Sequence, residues 1–216
     1  MEKLIVAQIA VFLIVTGSFG GMFVYTDIYE DVQSKIVETI CLSCAKLDTN
    51  LPVQFTFETA NGKDHPDFII DILKNKGPIL IQYGEKACAA CEDMIYKIIQ
   101  PYFEIEFDKT ITRDFDIDIH GLNFTYVYIY IDDPATPQEK IDSYDVYDIE
   151  YIRGFPMFTI ITIEYDHSGI IKPYYASLYG KFEPNNDYPK MTQTFTELIE
   201  TSMELWDRNI AGYDVK

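Results

Sequence analysis

Cys88-Ala-Ala-Cys91 and Cys41-Leu-Ser-Cys44 hold all four cysteines of this chain, each pair separated by two residues. Such a spacing suits thiol–disulfide chemistry. Before the second pair, Ile79 to Tyr83 is an apolar, isoleucine-rich run that reads as a buried strand, broken at Gly84. After it, Met94, Ile95, Ile98 and Ile99 recur at helical spacing. The pattern places Cys88 at a helix N-terminus, where unpaired backbone N–H groups and the positive end of the helix dipole stabilise a thiolate, with Cys91 one turn on. A thiolate is the attacking species in disulfide exchange.

Three residues near the pair carry charge that tunes it. Glu85 and Glu92 raise the thiol pKa, and Lys86 lowers it. An inert disulfide is the competing reading, but a bridge between neighbours one turn apart closes almost no loop and stabilises little. Cys41, Cys44, Cys88 and Cys91 together have the ligand types of a zinc site. The interval between the two pairs is longer than zinc ribbons use. Cys41 and Cys44 are read as a second redox pair, with a structural disulfide or an interchain link as alternatives.

The elements that must position these residues follow in order. Leu4 to Tyr25 is apolar except for Gln8, Thr16, Ser18 and three glycines, long enough at roughly 33 Å of helix to cross a bilayer core. We read residues 1–26 as a transmembrane anchor or uncleaved signal. Lys3 before the span and Asp27, Glu30 and Asp31 after it put the N-terminus in the cytoplasm and the remainder outside the cell membrane. Residues 27–51 form a helical stalk and linker with the first cysteine pair, 52–208 the folded domain and 209–216 a tail.

Within the domain, Val53 to Thr59 alternates as a strand and Asp67 to Lys76 is a helix. Pro101 kinks or ends the cysteine-bearing helix. Phe103 to Leu122, with Asp114, Asp116 and Asp118, is an acidic insertion with an exposed edge, and Phe124 to Ile131 is a strand. A short helix ends before Tyr147. Phe158 to Ile163 and Ile170 to Tyr179 make a hairpin, and Met191 to Trp206 is the last helix. The predicted order is β-α-β-α-β-α-β-β-α. His65, His120 and His167 lie in polar surroundings and are read as surface residues.

Over 216 residues, a net charge of −18 repels phosphate backbones and argues against nucleic-acid binding. Apolar residues make up 48% and aromatics 15%, which fits a sheet-rich folded core. Asn123-Phe124-Thr125 is a glycosylation sequon, meaningful only where it is exposed to the machinery.

At Leu80-Ile-Gln-Tyr-Gly-Glu-Lys-Ala-Cys-Ala-Ala-Cys91 and at Tyr151-Ile-Arg-Gly-Phe-Pro-Met157, this sequence resembles the thioredoxin family. The resemblance covers about Val53 to Trp206. It implies an α/β thioredoxin fold, a central mixed sheet flanked by helices, behind the N-terminal transmembrane helix. It also implies that Cys88 and Cys91 are catalytic, and that Pro156 is cis and with Met157 positions a substrate chain. Substrates would be protein thiols or disulfides, with a membrane electron donor or acceptor as partner and no cofactor or metal. Two departures stand out. Ala87 replaces the family's usual tryptophan, and Gln82 stands where thioredoxins often bury an acid. The implied activity is an extracytoplasmic, membrane-tethered thiol–disulfide oxidoreductase. The alternatives are a non-catalytic interaction module on the same scaffold, or the four-cysteine zinc site.

Overall fold

A computed structural model of the chain describes residues 53–213. The predicted anchor, the stalk, and Cys41 and Cys44 lie outside the described residues. Among the described residues no helix is long and apolar enough to cross a membrane.

Five strands form one mixed sheet: β1 (Ile79–Gly84), β2 (Arg113–Ile119), β3 (Leu122–Tyr130), β4 (Met157–Tyr165) and β5 (Ile171–Tyr179), in the order β2-β3-β1-β4-β5. β1 lies at the centre, parallel to β3 and antiparallel to β4. All six of its residues are buried, Gln82 among them, as expected of a central strand covered by helices on both faces. Its side chains divide by parity. Ile79, Ile81 and Tyr83 join one core cluster with Ile69 and Leu73 of α1 (Asp67–Asn75) and Tyr144 and Tyr147 of α4 (Gln138–Tyr147). Leu80 packs on the other face, with Met94, Ile95, Ile98 and Ile99 and with Phe195, Leu198 and Ile199 of α5 (Tyr188–Asn209). Each fully buried isoleucine contributes about 1.5–3 kcal/mol. The architecture is α/β, a five-stranded mixed sheet flanked by helices, compatible with a thioredoxin-like fold.

The cysteine-bearing helix is not uniform. It runs as α2 (Ala89–Met94), a π segment (Ile95–Ile99) and α3 (Gln100–Phe103). Pro101, predicted to kink or end the helix, instead sits in the first turn of α3. In the π segment the N–H of Gln100 bonds the carbonyl of Ile95, five residues back, so the helix restarts where a missing proline N–H costs nothing. Glu104, at φ 54°, closes the run.

The two edges of the sheet differ from the predicted order. Val53 to Thr59 forms no strand; one antiparallel bridge joins Thr56 to Tyr175 of β5. Phe55 and Phe57 pack on the Tyr174 ring, and Pro173 in β5 has no N–H to continue a ladder. At the opposite edge, the acidic segment supplies β2, a hairpin partner of β3 joined through His120 and Gly121. Phe115, Ile117 and Ile119 pack against the core, and the aspartates point away from it. Lys76 pairs with Asp116 at 2.9 Å and Lys140 with Asp114 at 2.6 Å, which anchors the edge to α1 and α4.

Candidate functional site

β1 delivers the chain to the cysteines. Beyond Gly84 the chain turns, with Ala87 left-handed at φ 61°, and Cys88 becomes the N-cap of α2. The Lys86 N–H donates to Asp132 Oδ2 at 2.6 Å, tying this turn to the end of β3. Cys88 and Cys91 are joined as a disulfide with their Cα atoms 5.2 Å apart. The Cys91 N–H also donates to Cys88 Sγ at 3.0 Å. Exposure separates the two: Cys88 is half-buried, whereas Cys91 is 3% exposed. Only Cys88 is placed for attack on, or by, a large partner.

Glu85, Lys86 and Glu92 are all exposed around the pair. Glu92, in the first turn of α2, forms an ion pair with Lys109, a residue of the loop after α3. This hydrogen bond raises the Lys109 pKa. Asp93, the next residue, receives Lys97 at 2.7 Å, Lys181 at 2.5 Å and the Tyr188 hydroxyl at 3.2 Å. Hydrogen bonds from Lys181 and Lys97 hold its carboxyl well below the usual carboxylate range.

Sheet register brings in the second segment. Tyr83 pairs with Met157, so the end of β1 that leads to Cys88 lies beside the start of β4. The Phe155–Pro156 peptide is cis, as the resemblance implied. Pro156 is buried, and its carbonyl accepts the Gly180 N–H at 2.7 Å. Met157 is fully buried and pairs with Tyr83 on one side and Tyr179 on the other.

Gln82, on the same strand, is fully buried. Its Oε1 accepts the Tyr126 hydroxyl at 2.7 Å, while Nε2 has no hydrogen-bond partner among the described residues. The cysteine helix packs on this face of the sheet with Tyr126. A cavity of about 330 Å³ opens at the far end of that helical run, lined by Tyr102, Phe103, Ile117 and His120 among others, away from the cysteines.

Several contributors carried no distinctive sequence signal. Lys109 and Asp132 each sit beside another charge, Asp108 and Asp133, with nothing in the sequence to mark them, and are brought to the site by long-range pairing. Asp148, in the segment before Pro156, likewise looks like one acid among many. One histidine differs from its predicted surface setting. His65 is half-buried against the rings of Tyr147 and Tyr175, its Nδ1 3.1 Å from the Tyr147 hydroxyl. Pro66 and α1 follow it directly, which draws the ring into the core. His120 and His167 are exposed. Asn123 of the sequon is exposed and Thr125 buried. Among the described residues no three His, Cys, Asp or Glu side chains are grouped to hold a metal ion.

In comparisons with family models, curated proteins and solved structures, nothing matches this chain.

Proposed function

We propose that the chain is a thiol–disulfide oxidoreductase with a thioredoxin fold, tethered to the cell membrane by its N-terminal segment with the domain outside the cytoplasm. The observation that carries the activity is the asymmetry of the pair: Cys88 half-buried at a helix N-cap, Cys91 buried one turn on, beside the segment that holds cis Pro156.

In the oxidising direction a substrate thiolate attacks Cys88 Sγ. The Cys88–Cys91 bond breaks, and its electron pair leaves on Cys91 as a thiolate. A second substrate thiolate then attacks the substrate sulfur of this mixed disulfide, and Cys88 leaves as a thiolate. Two electrons have passed from substrate to the pair. In the reducing direction Cys88 attacks a substrate disulfide and Cys91 resolves the mixed disulfide, the released thiolates taking protons from water. The potentials of the pair and its substrate set the direction. At the N-cap, backbone N–H groups favour the Cys88 thiolate whenever it forms. Pro156 and Met157 position the substrate chain. Cys41 and Cys44 are a second pair exchanging electrons with a membrane partner.

Insulin-disulfide reduction by the full-length chain in mild detergent tests the reading. Cys88→Ser abolishes the activity; a variant equal to wild type would leave a non-catalytic interaction module as the better account. Stoichiometric zinc in the reduced protein, lost in both Cys41→Ser and Cys88→Ser, would favour the metal site.

A further inference from the structure

Between α4 and β4, nine residues lead from Asp148 to Pro156, and one side chain organises them. Asp148 is 3% exposed. Its Oδ1 accepts the Ile152 N–H at 3.0 Å and the Tyr179 hydroxyl at 2.8 Å, and its Oδ2 accepts the Arg153 N–H at 3.0 Å. A buried carboxylate is costly unless such donors fill its lone pairs, and hydrogen bonds to a charged acceptor are among the stronger ones.

The backbone held in this way is not one the chain adopts freely. Tyr151 and Arg153 are left-handed, at φ 54° and 53°, a conformation that non-glycine residues occupy only at a cost. Further along, the Tyr144 hydroxyl donates to the Gly154 carbonyl at 3.1 Å, and its ring packs on Phe155. Asp148 and Tyr144 therefore grip the segment just before Pro156. The grip holds Tyr151 and Ile152 outward, 59% and 48% exposed. Strain maintained by a buried acceptor, in a segment that enters β4 beside the end of β1 leading to Cys88, marks a segment whose shape matters to a partner.

On the oxidoreductase reading above, we infer that Asp148 is a positioning residue, which through the backbone of Ile152 and Arg153 fixes the segment against which a polypeptide substrate docks beside Cys88. It touches neither sulfur, so it acts on substrate binding and not on thiol reactivity. Asparagine at this position keeps the shape but places an N–H where an acceptor stood. Because Oδ1 serves two donors, the amide nitrogen takes the Oδ2 place and the Arg153 N–H loses its partner.

The test uses the full-length chain in mild detergent, with insulin as polypeptide disulfide and 5,5′-dithiobis(2-nitrobenzoate) as small disulfide. Asp148→Asn raises KM for insulin about fivefold with kcat within about twofold, while turnover of the small disulfide is unchanged. The pH profile of Cys88 alkylation by iodoacetamide is also unchanged. Tyr144→Phe removes the bond to the Gly154 carbonyl, and Tyr179→Phe removes the bond to Asp148 together with one to the Glu150 backbone; each raises the insulin KM by about twofold, so the inference stays testable should Asp148→Asn fail to fold. An unaltered insulin KM in the folded variants overturns it. So does an equal loss on both substrates, or a shifted alkylation profile. Wild-type activity in Cys88→Ser overturns the oxidoreductase reading itself, whereas an inactive Cys88→Ser beside an unaltered Asp148→Asn removes only this inference.

Discussion

Lys109 pairs its ammonium with the Glu92 carboxylate, which ties the loop between α3 and β2 to the first turn of the helix that Cys88 caps. The loop is itself held from behind, since the Tyr128 hydroxyl donates to the Lys109 carbonyl at 2.9 Å. A carboxylate near a thiol disfavours the thiolate, and Lys109 offsets that charge. Lys109→Met therefore slows Cys88 alkylation at pH 7, by about two- to threefold given that the pair faces solvent. The loss is smaller in 1 M salt and disappears in a Glu92→Gln background. Stopped-flow alkylation across pH checks this; equal rates for Lys109→Met and wild type would remove the charge coupling.

The difference in burial between the two cysteines separates their roles. Cys91→Ser, mixed with a disulfide-bonded protein, accumulates a stable mixed disulfide on Cys88, because the resolving thiol is gone. Of this pair, Cys88→Ser leaves the buried Cys91, which accumulates none. Peptide mass mapping under non-reducing conditions distinguishes these adducts from any on Cys41 or Cys44. An adduct on Cys91 equal to that on Cys88 would reverse the assignment.

His65 makes the fold pH-sensitive. Burial pushes its imidazole down to about 4 from 6.5, with the Asp64 charge working against the shift. The unfolded chain takes up a proton near pH 6.5 and the folded chain does not. The contribution is thus complete above pH 6.5 and is lost as pH falls toward 4, by about 2 kcal/mol for a ring that keeps some solvent contact. Urea unfolding at pH 7 and pH 4.5 measures it. His65→Gln shows a smaller drop between the two than wild type; identical drops would mean the ring takes up its proton freely in the folded state.

At the join of α1 and β1, Gly77 has φ 138° and a Cβ there would overlap the Asn123 carbonyl. That neighbour is backbone at the start of β3 and has no rotamer with which to yield. Gly77→Ala costs about 3 kcal/mol or more. Gly121, left-handed at φ 85° in the β2–β3 turn, has nothing within 4 Å of a Cβ, so its replacement costs about 1 kcal/mol. Thermal unfolding of the two alanine variants ranks them; similar losses would mean the β3 start shifts to make room.

The centre of the fold was legible because several signals agreed there. In β1 an apolar run, a glycine break, two cysteines and a helical stripe all point to one geometry. The cis peptide at Pro156 followed from the family resemblance, not from the residues alone. At the edges the signals conflicted. Arg113 to Ile119 alternates charge with Phe and Ile, which is a strand pattern, yet its density of aspartates reads equally as a solvated insertion. Val53 to Thr59 shows similar alternation but meets an edge whose proline allows a single bridge. Alternation reports which residues are buried; it does not report which edge has a free ladder. Lys109, Asp132 and Asp148 were illegible for another reason. Their partners are set by three-dimensional packing, and a charge among other charges in sequence carries no record of what it will meet.

The order β2-β3-β1-β4-β5 has a consequence for how the sheet assembles. Both flanks are hairpins closed by short turns, which form in about 1–10 μs and lose little chain entropy in closing. β1 belongs to neither. It gains its backbone partners only when two independently formed ribbons meet across it, and its antiparallel contact with β4 spans the longest loop the sheet must close. The strand that leads to the cysteines is thus the keystone, seated last. Substitutions in β1 and at the Gly77 join are expected to slow folding, and those at the hairpin tips chiefly to speed unfolding.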